Sequence, residues 1–339
     1  MTPLNPRETG RFVSGVAKHV SILSDGIKRV AEEIVNITRE KKVTLNSSAG
    51  PDNLLPKPTE ETAVDFLFVS DVLNFCFWPD KDKPKWRVKW NGKSFTGYYA
   101  LCAALRKAQE ENIPITDPKY YSVISEEDLG RILRPEPNAS QVPLLKERVA
   151  ALRQAGTALI EKYGGTFNQC VKKANKSAEK LLSLIVKDFT SFCDEAEYQG
   201  KKVALYKRAQ ILVGDIWMLY GGKDVGEFHD IELLTAFADY RVPQVLVYFG
   251  AMKYTDSLMD TLSKDIQLTN GSPEEVEIRA CTIRACELIS EELKEMAKQD
   301  PTSPVLNDAE VDHFLWNYRR DYAEELEKIP FHKSRCIYY

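Results

Sequence analysis

The sequence predicts a mainly α-helical fold with one small β-hairpin element near residues 85–97. Two patterns carry that expectation. Over most of the chain apolar residues recur three and four positions apart, the spacing that lines one helix face; Val311, Phe314, Leu315, Tyr318, Tyr322 and Leu326 form such a stripe. Alternation with period two is clear only in Lys85-Trp-Arg-Val-Lys-Trp90, which is followed by the turn pair Asn91-Gly92 and the return Lys93-Ser-Phe-Thr-Gly97. A chain of 339 residues, 43% of them hydrophobic, can bury one large core. A single domain over 1–339 is therefore expected; a subdivision, if present, separates N-terminal helices plus hairpin (1–125) from a helical core (126–339).

In chain order, Asn5-Pro6-Arg7-Glu8 and the apolar positions from Val13 to Ile37 suit two helices over 5–42, the second starting near Ser24-Asp25. Residues 43–62 are rich in Ser, Pro, Asn and Gly and read as a loop of a length that often covers a site. The apolar, aromatic run 62–78 has the length of a buried helix. After the hairpin, helices are expected over 98–108, 126–133, 142–163, 167–173, 177–189, 203–220, 230–237, 243–252, 257–262 and 272–297, and in the stripe that begins at Glu310. No repeat period or low-complexity tract interrupts them.

Composition narrows the function classes. A formal net charge of -4 does not supply the basic surface that holds a nucleic-acid backbone, so no stable nucleic-acid complex is expected, although a local pocket for one phosphate stays open. Seven cysteines, an odd number without a C-x-x-C pair, read as reduced thiols in the cytoplasm, with the nucleus also open. The four histidines show no metal-ligand spacing, and no apolar run approaches the ~20 residues of a membrane span. Phosphate-loop, dinucleotide and nucleophile-elbow motifs are missing, which leaves carboxylates as the groups to perform any reaction.

Three stretches could carry chemistry. On the C-terminal stripe Asp312 lies at the shoulder, level with Leu315, Trp316 and Arg319, whereas His313 and Asn317 fall on the wet back. A carboxylate beside an indole and aliphatic groups is partly desolvated, which prepares it as an acid, a base or a counter-charge; the plainer alternative is an ion pair with Arg319. Phe237-Ala-Asp-Tyr-Arg-Val-Pro-Gln-Val-Leu246 places Asp239, Tyr240 and Arg241 just ahead of a Pro243 that suits a first helical turn. That corner can hold a polar ring or an anion, or Asp239 simply caps the helix while Arg241 pairs with an acid. In 200–217, Lys201, Lys207 or Arg208 could hold a phosphate, although a Lys-Arg pair is more often a solvated helix surface. Asp215, in the apolar half of that segment, has no such plain account.

Together with Asn5-Pro-Arg-Glu8, Phe68-Val-Ser-Asp-Val-Leu-Asn-Phe-Cys-Phe-Trp78, Gly97-Tyr-Tyr-Ala-Leu-Cys-Ala-Ala104, Ile113-Pro-Ile-Thr116, Tyr206-Lys-Arg-Ala-Gln-Ile-Leu-Val213, Glu275-Val-Glu-Ile-Arg279 and the terminal Arg335-Cys-Ile-Tyr-Tyr339, these stretches closely resemble the queuosine salvage family of queuosine 5′-phosphate N-glycosylase/hydrolases. The resemblance runs from residue 5 to the last residue. It implies a helical fold related to helix-hairpin-helix DNA glycosylases, and hydrolysis of the N-glycosidic bond of queuosine 5′-phosphate. The products would be queuine and ribose 5-phosphate, the base then serving tRNA queuosine modification.

The resemblance also implies roles. Asp312 falls on the catalytic aspartate, as nucleophile or electrostatic stabiliser of an oxocarbenium-like centre. His313 and Asn317 stand where the family pattern has an aromatic and a second acid, and Asp52 stands about where the pattern has a base-contacting histidine. Phe237 and Asp239 match base-pocket positions, with Trp316 or Phe75 as further stacking partners. Lys201, Lys207, Arg208 and Arg241 are the candidates for the 5′-phosphate. Neither metal nor organic cofactor is expected, the partner is a small nucleotide, there is no membrane association, and a monomer is expected. The competing readings are a non-catalytic helical module that binds a modified nucleotide or tRNA, and a DNA glycosylase, for which no basic clamp is visible.

Overall fold

The computed structural model describes residues 2–41 and 53–339. It is mainly helical, with three two-stranded antiparallel pairs. The chain divides into two compact units that interleave along the sequence. One comprises the described residues of Met1–Leu45, Asp194–Lys207 and Glu232–Arg335; the other comprises those of Asn46–Cys193, Arg208–Ile231 and Cys336–Tyr339.

The first unit is built on the 27-residue helix Pro273–Gln299, whose start is fixed by the Ser272 hydroxyl accepting from the Glu275 amide. Helices Pro6–Val16, Ser24–Lys41, Val242–Tyr248 and Asp308–Asp321 pack against it. Their apolar residues, among them Val30, Ile34, Val245, Ile278, Ile289, Val311 and Leu315, are almost fully buried. The second unit centres on the helix Leu145–Tyr163, packed by Pro118–Tyr121, Glu126–Ile132, Ala63–Val72 and Phe167–Ala174. Its aromatic core has Phe68 stacked on Phe167 at 4.5 Å, with Phe189 edge-on to Phe68 and Phe192 stacked on it at 6.2 Å. Among the described residues no helix is long and apolar enough to cross a membrane.

The expected hairpin forms, with Arg87–Trp90 pairing Lys93–Thr96 through Asn91 and Gly92 at φ 46° and 78°. Most expected helices form within a few residues of their expected ends. The departures have local causes. The 62–78 run is helical only over Ala63–Val72; beyond it the carbonyls of Leu73, Phe75 and Cys76 accept from the buried Arg148 guanidinium, so the segment stays dry without helical bonds.

Residues 203–220 do not form one helix. Lys201–Ala204 is a strand paired with Glu195–Tyr198 across Gln199 and Gly200, at φ 47° and 77°, and the helix Lys207–Leu219 begins after Tyr206 at φ 46°. Residues 230–237 hold one short turn, Ile231–Leu233, and then run irregularly. Val242–Tyr248 stops short of 252 because Met252–Tyr254 turns to pair with Val20–Ile22. The C-terminal stripe breaks at Tyr322 into Asp308–Asp321 and Ala323–Leu326.

Gly26, in the first turn of Ser24–Lys41, lies so near the backbone that a Cβ there would be 2.0 Å from the Gly250 carbonyl oxygen and 2.1 Å from the Ala251 nitrogen. Neither atom can swing away. Gly26→Ala is expected to cost about 3 kcal/mol or more in urea unfolding, the upper end of overpacking effects; a loss under about 0.5 kcal/mol would contradict this packing.

Candidate active site

Asp312 owes its position to the start of its helix. Asn307 accepts from the Glu310 amide while the Glu310 carboxylate accepts from the Asn307 amide, each at 2.9 Å, a reciprocal cap that sets which residues follow on which face. Asp312 is then turned inward, 4% exposed, and its Oδ1 accepts from the Phe237 backbone N–H at 3.0 Å. The ion-pair alternative is overturned, because Arg319 turns to Glu327 and to Gln244 Oε1 at 3.3 Å.

Phe237 lies in the irregular segment after Ile231–Leu233, which side chains hold in place. The Arg7 guanidinium donates to the carbonyls of Glu232 at 3.0 Å and Leu234 at 3.2 Å, and Arg279 Nε donates to the Ala238 carbonyl at 3.0 Å. Two residues beyond Phe237, the buried Asp239 accepts through Oδ1 from the amides of Arg241 at 2.9 Å and Val242 at 2.8 Å, so it does tie down the start of the Val242–Tyr248 helix. Arg241 is mostly buried, over the Phe331 ring at 4.0 Å, donating to Gln244 Oε1 at 2.9 Å and lying 3.6 Å from Glu327. The capping and acid-pairing alternatives thus hold as geometry, and what distinguishes the corner is its burial.

Burial sets the electrostatics. The Asp312 carboxyl is pushed well above the ordinary carboxylate range by desolvation and then by the negative charge of Asp239; the Phe237 amide and Lys207 act in the opposite sense. Asp239 is raised less, since Lys207, two amides and Arg241 favour its ionised form. Lys207, itself 8% exposed, therefore faces both acids. Cys286, on the long helix, is raised by burial and by the charges of Asp312, Asp308 and Asp239.

The other candidates fall as follows. His313 and Asn317 are partly buried, not on a wet back, and burial lowers the imidazole so that it favours the neutral form. Trp316 is likewise partly buried, with Arg320 over its ring at 5.0 Å. Lys201 lies exposed on its strand with its ammonium 4.2 Å over Phe12. Lys207 and Arg208 are not a solvated pair: both are buried, and Arg208 donates to the carbonyls of Asp71, Val72 and Ser191 in the second unit. There Phe75 faces the guanidinium groups of Arg148 at 4.3 Å and Arg208 at 5.1 Å, and Asp215 accepts from the Tyr98 hydroxyl at 3.4 Å. Asp52 lies outside the described residues. Among the described residues no group of three or more His, Cys, Asp or Glu is placed to hold a metal ion.

The first unit thus gathers Asp312, Phe237, Asp239, Lys207 and Arg241 around two carboxylates that resist simultaneous ionisation. Positive charge that develops beside Asp312 would favour its ionised form, which is a stronger interaction with a cationic transition state than with a neutral ground state. Sequence reasoning missed the buried Arg279 and Asp194 behind these residues, because long-range side-chain pairing leaves no periodic trace.

The family profile described as queuosine salvage protein matches residues 54–339. The chain belongs to the queuosine salvage family. Relatives named queuosine 5′-phosphate N-glycosylase/hydrolase include one from Mus musculus, 44% identical over 338 residues and 99% of both chains, and one from Bos taurus, 42% identical with the same coverage. A bacterial relative of that name, from Sphaerobacter thermophilus, is 39% identical over 281 residues, 82% of each chain. Queuosine salvage family membership extends over the segments that carry Phe237, Asp239 and Asp312.

A raised carboxyl has a cost that can be measured. Between the ordinary value of 3.8 and its folded value, Asp312 binds more proton in the folded than in the unfolded chain, so its contribution to stability falls as pH rises through that window. Asp312→Asn is therefore expected to raise Tm at pH 7, with the difference from wild type vanishing toward pH 3.8 and below. A variant less stable at pH 7, or a pH-independent difference, would contradict the assigned burial.

Proposed function

We propose that this chain hydrolyses the N-glycosidic bond of queuosine 5′-phosphate, releasing queuine and ribose 5-phosphate for queuine salvage and tRNA queuosine modification. The observation that carries the proposal is the dry Asp312, within a chain similar over almost its whole length to relatives named for that activity. Breaking the bond at C1′ builds positive charge on the ribosyl ring. A carboxylate held out of water beside that carbon stabilises the charge or captures the centre, and it acts most strongly when the charge is largest.

In this reading Asp312 faces the ribosyl carbon, Asp239 meets a polar edge of the deazapurine and assists its departure, and Phe237 stacks on the ring, with Trp316 as a second aromatic. His313 and Asn317 contact the substrate from the same helix as Asp312. Lys207, which is buried, and Arg241, which is mostly buried, lead the candidates for the 5′-phosphate; Lys201 ranks behind them because it is exposed. The whole chain acts as one catalytic domain whose helical architecture is related to helix-hairpin-helix DNA glycosylases. It works as a cytoplasmic monomer on a small nucleotide, without a cofactor or a stable nucleic-acid complex. The seven cysteines, six of them buried, agree with a reducing compartment.

Purified protein incubated with queuosine 5′-phosphate, queuosine and guanosine 5′-phosphate should release base from the first at the highest rate, measured by chromatography. No queuine from folded protein would overturn the activity, and equal rates on all three would overturn the specificity. Asp312→Asn should lower kcat ~10²-fold or more. Activity within a few-fold of wild type would remove Asp312 from this role.

A further inference from the structure

We propose that Arg279, with Asp194, is a positioning residue that holds the Phe237–Asp239 segment and the start of the Lys207–Leu219 helix in fixed relation to Asp312. This proposal rests on the reading above. Arg279 lies on Pro273–Gln299, 1% exposed, at the end of the Glu275-Val-Glu-Ile-Arg279 stretch that the chemistry itself leaves unused. Its guanidinium reaches Ala238, Asp194 and Glu275. Nε donates to the Ala238 carbonyl at 3.0 Å; Nη1 and Nη2 donate to Asp194 Oδ1 at 3.0 Å and Oδ2 at 2.5 Å; and Nη1 also reaches Glu275 Oε1 at 3.1 Å.

The partners are what make this arrangement more than a core ion pair. Ala238 lies between Phe237, whose amide donates to Asp312, and Asp239. Asp194 Oδ2 also accepts from the Lys207 backbone N–H at 3.2 Å. One rigid, planar fork on a long, buried helix thereby fixes the backbone of both acid-bearing and cation-bearing segments. A bidentate guanidinium resists rotation in a way that a single ammonium cannot. If the fork is lost, the Phe237 amide drifts from Asp312, whose ionised form loses its one backbone donor while Asp239, Lys207 and Cys286 still face it.

Arg279→Lys keeps the charge but cannot span both partners. Asp194→Asn keeps the shape but weakens the fork. For both, in the full chain with queuosine 5′-phosphate, kcat should fall by roughly 10- to 100-fold, as for a misplacement of about 1 Å, with KM changed less than about threefold. The acid limb of kcat/KM should also move to higher pH. A merely structural role would lower Tm and the active fraction while leaving the pH profile unmoved, and that result would overturn the proposal. Failure of both variants to fold would likewise assign the pair to the core and overturn it. If wild type itself releases no queuine, the failure lies with the proposed function, whereas an active wild type with variants of unchanged profile rejects the positioning role alone.

Discussion

One backbone amide, that of Phe237, donates to a carboxylate that water barely reaches, and much of the first unit is arranged so that this bond can exist. An ionised carboxylate in a dry interior with no donor is prohibitive; with one donor and the charge of Lys207 it becomes tolerable but remains unsettled. The irregular run through Phe237 supplies that donor because it is not helical: an amide inside a helix would already be spent on the carbonyl four residues back. Arg7 and Arg279 bind the carbonyls on either side and so replace the helical bonds that this run lacks.

The two acids divide their environment unequally. Asp239 takes two amides at the start of a helix and stands nearer to ordinary carboxylate behaviour, while Asp312 takes one and also feels its neighbour's charge. Pairs whose surroundings separate their proton affinities can divide proton-holding and charge-stabilising duties between them. The stability given up at Asp312 is of the kind that packing elsewhere must offset, and the long helix Pro273–Gln299 with its nearly dry aliphatic face supplies such packing.

Much of the fold could be read from the chain because its signals are local. The helix from Ser272 follows its apolar spacing, the hairpin follows from Asn91-Gly92, and helical spacing puts Asp312 at the shoulder of the C-terminal stripe. What escaped the reading was decided at long range. The Val20–Ile22 strand pairs with residues more than two hundred positions away, and Lys201–Ala204 is too short for its alternation to compete with the overlapping helical spacing of Val203, Tyr206 and Gln210. The 230–237 stretch looks helical in composition, yet the carbonyls of Glu232 and Leu234 go to Arg7. The buried Lys207 and Arg208 resembled a surface pair because sequence shows charge and not its partners. The sequence pattern alone could not choose between a desolvated Asp312 and an ion pair with Arg319, since both residues lie on one helix edge; the choice is made by Glu327 and Gln244, which draw Arg319 away.

The central claim is that burial and the charge of Asp239 prepare Asp312 to act on the glycosidic bond. Its most direct test is the pH dependence of kcat/KM on queuosine 5′-phosphate for wild type and for Asp239→Asn, following whatever residual rate the variant retains. The wild-type acid limb should lie well above 3.8, the ordinary carboxylate value, and move to lower pH once the neighbouring charge is removed. An acid limb at the ordinary value, or one that Asp239→Asn leaves in place, would contradict it.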